Sequence, residues 1–375
     1  MNTFDALIAG GGLIGATIAL ELADAGLKVG LFDAVEPGRE ASWASAGMIS
    51  PAPENPEMIP FVPMRLESAR LYPEFIGKVE QLAGANVGYR KDGALDVIVD
   101  GDPRAELSTV IALQHGVGLK AEALSAEQAR QMEPALTPHM QAAIFREAEA
   151  SVDARALTNA TLKAAARKGA QVFAANGAKA LLRTGQRCTG LLLQSGQAQA
   201  EWTIIAAGCF SSQIEGVGPY APVFPAKGQM MALRCESVEI RRALWLEHIY
   251  LVPRNDGRII AGSTIEHTGF DRNVTAGGMK KILNATTRLV PALEQARVEE
   301  TWAGLRPDSP DHLPIIGPTD LEGLLIATGH FRSGILLAPV TAKMIREWIT
   351  TQSTSIDWQR VRPTRFLEAT RSRGA

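Results

Sequence analysis

A glycine-rich turn near the start of this 375-residue sequence constrains its fold more than any other feature. The apolar run Phe4 to Ala9 is typical of a buried parallel strand, and Gly10-Gly11-Gly12-Leu13-Ile14-Gly15 follows it directly. An Ala- and Leu-rich helix is predicted from about Leu13 to Ala25. A second apolar strand, Val29 to Phe32, then ends at Asp33. A strand, turn, helix, strand and acid at this spacing predict a dinucleotide-binding site.

Each glycine of the turn has a mechanical role in such a site. Gly10 makes the tight turn, Gly12 lets the backbone approach a pyrophosphate, and Gly15 allows the helix to pack closely on the strand. The amides at the start of the helix face the phosphates. Asp33 can hydrogen-bond a ribose hydroxyl and disfavours a 2′-phosphate, so NAD or FAD is favoured over NADP.

Composition places the chain among ordinary globular proteins. Hydrophobic residues make up 46% and charged residues 21%, and the formal net charge is −2. This balance excludes a disordered or fibrous protein and provides no general field for nucleic acid or an anionic membrane. The three cysteines, Cys188, Cys209 and Cys235, are too widely spaced for a disulfide framework or a zinc site, and the 6 histidines show no metal-ligand spacing.

The N-terminus carries no targeting signal. Its first residues have no positive charge, and glycines interrupt the apolar stretch that follows, which falls short of the ~20 apolar residues of a membrane span. We therefore expect a cytoplasmic protein that binds neither membrane nor nucleic acid and holds no metal.

The turn alone does not separate NAD from FAD. About residues 34–62 form an irregular segment rich in Ser, Ala, Gly and Pro, which can wrap a bulky cofactor or can be merely a long loop. Trp202–Gly208 and Leu324–His330 repeat the pattern of an apolar strand followed by glycine. The second leads into a helix predicted from about Ile335 to Ile349, whose positive N-terminal end would suit the electron-rich side of a reduced flavin.

Further motifs are spread along nearly the whole chain. Besides the turn and Asp33, they are Ala41–Met48, Val152–Leu157, Ile204–Gly208, Lys227–Gln229, His248–Pro253, Gly304–Pro307 and Gly329–Gly334. Together they resemble the D-amino acid oxidase superfamily of FAD amine oxidases. Within it, the chain is most similar to the glycine oxidases of thiamine biosynthesis, and sarcosine-oxidase-like enzymes are more distant.

The resemblance implies an α/β (α+β) fold of the D-amino acid oxidase and glutathione reductase type. A Rossmann-type FAD-binding domain would comprise residues 1–83, 145–221 and 302–375. A discontinuous antiparallel-sheet substrate domain would comprise residues 84–144 and 222–301. The coarse pattern agrees, with predicted helices at 154–168, capped by Asp153, and at about 275–289, and strands at 170–173, 230–234, 249–253 and 258–262, the last two joined by the turn Asn255-Asp256-Gly257.

The resemblance places a substrate-binding arginine at Arg306. Arginine is a planar, permanently charged, bidentate donor, which suits a carboxylate better than lysine does. Pro307 restricts Arg306 to extended geometry, and a surface arginine paired with Asp308 is the alternative. Tyr250 matches the family position whose hydroxyl shares the carboxylate, with a core tyrosine as the alternative.

Two further residues are implied near the substrate. His248, two residues before Tyr250, is expected on the same strand face and either lines the site or packs there. Arg332 falls where glycine oxidases carry an arginine that gates the pocket or assists the carboxylate, or it starts a helix in solvent. Ile265 replaces the methionine of the glycine oxidase pattern, so we expect the apolar wall of the pocket to differ.

The resemblance also implies the residues that hold FAD, with Val172 contacting the adenine through its main chain. No cysteine falls in the motif that binds flavin covalently in sarcosine oxidases, so non-covalent FAD is expected. The implied residues are Gly10, Gly12, Leu13, Ile14, Gly15, Asp33, Ser42, Ser45, Ala46, Gly47, Met48, Val172, Ala207, Gly208, Gly329, His330, Arg332, Ser333, Gly334, Ile335 and Leu336.

The implied activity is oxidative deamination of a small amino acid, glycine first, with sarcosine, small D-amino acids or iminodiacetate left open. Hydride would pass to flavin N5 and O2 would be the acceptor, giving an imine, the oxo acid, ammonia and H2O2, in a homo-oligomer (tetramer or dimer) with a role in thiamine thiazole synthesis. A dehydrogenase of the same fold that passes electrons to a quinone or carrier is the main alternative. An FAD domain acting on a modified base, and an interaction protein with a structural nucleotide, are the others.

Overall fold

The strands of the protein form two large sheets in a computed structural model that describes residues 3–100 and 103–367. Residues 1–2, 101–102 and 368–375 of the predicted domains lie outside the described residues. The strands are β1 Thr3–Ala9, β2 Val29–Phe32, β3 Met48–Ile49, β4 Ala94–Ile98, β5 Ala121–Ser125, β6 Ala142–Arg146, β7 Ala150–Ser151, β8 Gln171–Phe173, β9 Ala178–Thr184, β10 Arg187–Leu193, β11 Gly196–Ile205, β12 Phe224–Arg234, β13 Ala243–Leu246, β14 Ile249–Pro253, β15 Arg258–Gly262, β16 Arg297–Asp308, β17 Ile315–Pro318 and β18 Leu324–Thr328.

Helices cover the outer faces of both sheets. The bounds of the α-helices are α1 Leu13–Asp24, α2 Ala41–Ala44, α3 Val62–Ala83, α4 Pro103–His115, α5 Ala126–Met132, α6 Ala154–Arg167, α7 Ala276–Leu289 and α8 Gly334–Thr351. None of the helices within the described residues is long and apolar enough to cross a bilayer.

The first sheet has the order β17-β18-β11-β1-β2-β8, with the β9–β10 hairpin attached to β11. Strand β1 pairs in parallel with β2 and with β11, and β11 pairs in parallel with β18. Helix α1 packs against α6 and α8 over a core of apolar side chains. Because the strands are parallel, β1, β11 and β18 end at one edge of the sheet, where a Rossmann-type fold binds its ligand. The predicted Rossmann-type architecture is confirmed.

The second sheet has the order β16-β12-β15-β14-β13-β4-β6-β5 and is antiparallel except for the β13–β4 pair. Helices α5 and α7 cover one face, and the other face is turned toward the first sheet. The Asn255-Asp256-Gly257 turn joins β14 to β15 as predicted, with Gly257 at a φ of +83°. The expected antiparallel substrate sheet is therefore present.

Several elements differ from the sequence-based expectations. The segment 34–62 contains the short helix α2, the strand β3 and a 3-10 turn, and the long helix α3 that follows it was not predicted. The predicted strand 230–234 is the end of the longer β12. The domain assignment stays a prediction, and two of its boundaries fall inside β6 and β16, which belong wholly to the second sheet.

Arg155 at the start of α6 links the two sheets. Its guanidinium donates to both carboxylate oxygens of Glu300 on β16, at 2.8 and 3.2 Å. The same group lies 3.7 Å from the ring centroid of Trp43 and 4.6 Å from that of Trp302. Trp302 in turn donates from Nε1 to the carbonyl of Ala44 at 3.0 Å. This stacked, bidentate contact holds the sheets in register on either side of the space between them.

The cap of α6 provides a test of the local structure. The Asp153 carboxylate accepts from the amides of Arg155 and Ala156, both at 3.0 Å. Loss of an N-cap acceptor costs about 1 kcal/mol, so we expect Asp153→Ala to lower the free energy of unfolding by that amount in urea titrations. Asp153→Asn keeps the acceptor and should lose less. Equal losses in the two variants would contradict the capping role.

Candidate active site

The turn between β1 and α1 is built by close backbone contacts. Gly10 has a φ of +109°, and a methyl group there would lie 2.4 Å from the carbonyl oxygen of Ala206 at the end of β11. At Gly15 a methyl group would lie 1.9 Å from the carbonyl oxygen of Gly10. Neither position admits a side chain, which confirms the predicted tight turn and close packing of helix on strand.

Two polar side chains complete this turn. Asp33 accepts from the amide of Gly11 at 2.7 Å and from that of Val35 at 3.0 Å. Ser42 Oγ accepts from the amide of Leu13 at 2.9 Å, which joins α2 to the start of α1. The turn therefore presents glycine backbone, first-turn amides and a carboxylate side by side, a set that matches the phosphates and ribose of a dinucleotide.

A cavity of about 1030 Å³ runs from this turn to the inner face of the second sheet. It is at the large end of the range for ligand pockets, roughly 300–1,000 Å³. The predicted residues that line it are Gly10, Gly12, Leu13, Ile14, Asp33, Ser42, Ser45, Ala46, Met48, Ala207, Gly208, His248, Tyr250, Arg306, His330, Arg332, Ser333, Gly334, Ile335 and Leu336.

Four predicted cofactor residues lie behind the cavity wall. Gly15 packs helix on strand, and Val172 lies on β8 beside Leu31. A methyl group at Gly47 would lie 1.8 Å from the carbonyl oxygen of Val152, and Gly329 has a φ of +71°. The three glycines thus shape the backbone that carries lining residues, and the adenine contact of Val172 stays a prediction.

The N-terminus of α8 faces the cavity. Its first residues, Gly334 to Leu336, line the wall, and the first amides of a helix have no acceptor within it. The buried side chain of Arg65 donates to the carbonyl groups of Ser50, Pro51 and Ala52 and to Ser333 Oγ. Arg65 thereby ties the segment after β3 to this helix start. Sequence analysis missed Arg65, because its partners are carbonyl groups that leave no motif.

Arg306 lies on β16 with its guanidinium over Gly228 of the neighbouring β12. A methyl group at Gly228 would lie 2.2 Å from Nη1 and 2.4 Å from Nη2 of Arg306. Nη2 donates to Ser263 Oγ at 2.6 Å, and Nη1 donates to the carbonyl of Thr264 at 3.2 Å. Burial lowers the pKa of Arg306, and Tyr250 offsets part of this effect. Among the described residues, no carboxylate pairs with Arg306, and the predicted alternative partner Asp308 instead binds His312.

Tyr250 lies in the same row of the sheet as Met230, because both are paired with Gly262. Its hydroxyl donates to the sulfur of Met230 at 3.5 Å, and its ring meets that of Trp245 edge to face at 4.9 Å. A thioether is a weak acceptor, so this hydroxyl is free to turn toward a better one. The structure brings Tyr250 and Arg306 to one face of the sheet.

His248 and Ile265 require correction. His248 is not on the strand face of Tyr250: it lies in the two-residue turn between β13 and β14, where Glu247 has a φ of +55°. Alternation along a strand does not extend into the turn, and His248 is an exposed residue at the rim of the cavity. Ile265 is 45% exposed and does not line the cavity, so the expectation that it forms a pocket wall is wrong.

Arg332 also lies at the rim, where it forms an ion pair with Glu54 from the segment after β3. His330, two residues earlier, is fully enclosed, and its Nε2 lies 3.0 Å from Thr341 Oγ1. Burial lowers the pKa of His330 to about 3, so its imidazole is neutral near neutral pH. Sequence analysis assigned neither pairing, because Glu54 and Thr341 belong to other segments.

The fold and the cavity define a dinucleotide-binding oxidoreductase with an arginine-based anion site on a second sheet. The chain belongs to the family described as FAD dependent oxidoreductase (DAO), whose model matches residues 5–348. It is FAD-dependent and acts on C–N bonds, as the resemblance implied.

Relatives cover nearly the whole chain. Bifunctional protein ThiO/ThiG of Synechocystis is 34% identical over 378 residues, which is 98% of this chain and 55% of that protein. The chain thus spans about half the length of the ThiO/ThiG relatives it matches. Glycine oxidase of Bacillus licheniformis is 29% identical over 357 residues, 95% of each chain. The crystal structure of glycine oxidase from Geobacillus kaustophilus has a TM-score of 0.92 at 29% identity, covering 97% of this chain and 99% of that one.

The dinucleotide part of the cavity fits FAD. The side-chain-free positions Gly10 and Gly12 leave room for a pyrophosphate, and the carboxylate of Asp33 lies beside them. The start of α8 faces the same cavity farther on, where its positive end would lie near a flavin ring.

Gly228 offers a test of the anion site. We expect Gly228→Ala to displace the Arg306 guanidinium and to weaken binding of acetate to the FAD-loaded protein by about 10- to 100-fold, the loss of a charge-assisted hydrogen bond. Acetate affinity is measured from the change in flavin absorbance. Gly277→Ala on α7, where a methyl group meets nothing within 4 Å, is the matched control. Unchanged affinity in Gly228→Ala would show that the guanidinium does not need this space.

The buried imidazole of His330 should make the protein acid-sensitive. Its pKa is about 3 in the folded chain and ~6.5 in an unfolded one, so only the unfolded state takes up the proton between these values. Stability is therefore complete above about pH 6.5 and falls as pH decreases toward 3. Between about pH 7.5 and about pH 4.5, we expect His330→Gln to lose about 2 kcal/mol less unfolding free energy than the wild type in urea titrations. Parallel losses in the two proteins would contradict this role.

Proposed function

We propose that this protein is an FAD-dependent oxidase of small amino acids, with glycine as its first substrate and dioxygen as its electron acceptor. The observation that carries the proposal is the buried guanidinium of Arg306, which has only neutral hydrogen-bond partners among the described residues. The relatives named glycine oxidase support the choice of glycine.

A buried cation without an anion is unfavourable by several kcal/mol. The hydroxyl of Ser263 and the carbonyl of Thr264 satisfy two N–H groups of Arg306 but do not neutralise its charge. The guanidinium lines the cavity, so a carboxylate that enters can accept two parallel hydrogen bonds from it. Binding such a ligand relieves the cost of the buried charge and orients the ligand.

Tyr250 would supply the second contact to the carboxylate. In this proposal its hydroxyl leaves the sulfur of Met230 and donates to the carboxylate oxygen, since an anionic oxygen is the better acceptor. Two fixed donors on one sheet face hold the α-carbon of a small amino acid in one orientation. This positioning is the main contribution of the protein to a reaction whose electron chemistry belongs to the cofactor.

The turn at Gly10 and Gly12, with Asp33 and Ser42, would hold the pyrophosphate and ribose, and the start of α8 would face the flavin. When bound, FAD accepts a hydride from the substrate α-carbon and its two electrons pass to dioxygen, so that glycine, O2 and water give glyoxylate, ammonia and H2O2. The enclosed setting of Arg306 and Tyr250 keeps bulk water from the carboxylate contacts and strengthens them.

The proposal extends to the cellular role. Similarity to ThiO/ThiG proteins favours a place in thiamine thiazole synthesis. Similarity to glycine oxidases favours a homo-oligomer, and three free cysteines favour the cytoplasm.

Arg306→Lys tests the carboxylate role, because it keeps the charge but removes the bidentate geometry. We expect the wild type to be yellow, to bleach with glycine without air, and to form H2O2 in air. In Arg306→Lys, KM for glycine should rise about 10- to 100-fold, the equivalent of 1.5–3 kcal/mol. Arg39→Lys, at an exposed pair with Glu36, is the control. Unchanged KM in Arg306→Lys contradicts the assignment, and bleaching without peroxide indicates a dehydrogenase.

A further inference from the structure

The segment after β15 holds the guanidinium of Arg306 in place. Ser263 and Thr264 provide both hydrogen-bond acceptors of Arg306, at 2.6 and 3.2 Å, and both are buried. Gly228 supports the guanidinium from below and has no side chain to hold it. The direction in which Arg306 points therefore depends on where residues 263–264 lie.

The position of Thr264 depends on Glu266. The Thr264 hydroxyl donates to Glu266 Oε1 at 2.6 Å and accepts from the backbone amide of Gln229 at 2.9 Å. Glu266 Oε1 also accepts from Gln229 Nε2 at 2.7 Å. One carboxylate oxygen thus joins the side chain beside Arg306 to strand β12.

Lys227 holds Glu266 from the strand side. The two residues exchange backbone hydrogen bonds, each at 2.9 Å. The Lys227 side chain is 1% exposed, and its ammonium donates to Asp271 at 2.6 Å and lies 3.6 Å from Glu266 Oε2. Burial raises the pKa of Glu266, but hydrogen bonds from Thr264 and Gln229 and the charge of Lys227 outweigh it, so the pKa lies below its usual range.

The side chain of Gln229 is itself fixed by α7. Its Nε2 donates to Thr275 Oγ1 at 3.0 Å, and its Oε1 accepts from the Thr275 amide at 2.8 Å. A methyl group at Gly278 would lie 2.5 Å from this amide group, so a glycine is needed there to admit it. The network has a built, fully buried anchor at one end and Arg306 at the other.

From these contacts we propose that Glu266 is a positioning residue for Arg306, which acts through Thr264 and is supported by Lys227 and Gln229. The proposal rests on the proposed function, since Arg306 is taken to bind the substrate carboxylate. It accounts for the motif Lys227-Gly228-Gln229, in which the glycine makes room for the guanidinium and its two neighbours hold the residues that aim it.

Glu266→Ala is the direct test, with FAD-loaded enzyme. We expect KM for glycine and the dissociation constant for acetate, followed by flavin absorbance, each to rise about tenfold, because the Arg306 fork loses its alignment. We expect kcat to stay within about twofold and the flavin spectrum to be unchanged. His267→Ala is the matched control, since this neighbour contacts only the Phe224 ring in the network's vicinity and should leave both constants unchanged.

Two further variants separate positioning from a general loss of structure. Glu266→Gln keeps an oxygen acceptor for Thr264, so it should restore most of the affinity lost in Glu266→Ala. Thr264→Val removes the hydroxyl that links Glu266 to the segment, so Thr264→Val combined with Glu266→Ala should be no weaker than either alone. Additive effects, or an unchanged KM and acetate affinity in Glu266→Ala, overturn the proposal.

The acetate titration distinguishes this proposal from the proposed function. A wild type that binds acetate through Arg306 but oxidises no small amino acid disproves the oxidase function, while the Glu266 variants still test positioning. A wild type that oxidises glycine with a KM indifferent to Glu266 disproves positioning alone. If the wild type neither binds acetate nor oxidises glycine, both proposals are overturned.

Discussion

A buried guanidinium with no carboxylate beside it is the constraint around which this molecule is arranged. The charge of Arg306 is tolerated because Gly228 leaves space for it and because Ser263 and Thr264 accept two of its hydrogen bonds. These contacts satisfy hydrogen bonding without neutralising charge, so the site is complete only with an anionic ligand. The long β12–β16 pairing and the anchored segment after β15 make that arrangement rigid.

The cavity exists because two sheets of different kinds face each other. One supplies helix starts and side-chain-free turns, which suit phosphates and a flavin, and the other supplies Arg306 and Tyr250. Arg155, held between Trp43, Trp302 and Glu300, joins the two sheets. In such an enclosed space charge-assisted contacts are stronger than in water, which favours orientation of a small zwitterion.

Much of the fold was open to prediction from local signals. The β1–α1 turn, the Asp153 cap of α6 and the β14–β15 hairpin follow from glycine, acidic caps and turn chemistry that act within a few residues. The errors arose where a local rule was carried too far. His248 was placed by strand alternation in what is a turn, and Ile265 was placed by family position although its side chain faces solvent.

The sequence by itself determined the dinucleotide turn, the order of elements and the identity of the substrate-site arginine, because each leaves a short motif. Only the tertiary structure decided what surrounds that arginine. Ser263 and Thr264 are 43 and 42 residues from Arg306 along the chain. Such contacts arise from strand pairing, and the carbonyl and hydroxyl groups that make them carry no signature of their partners.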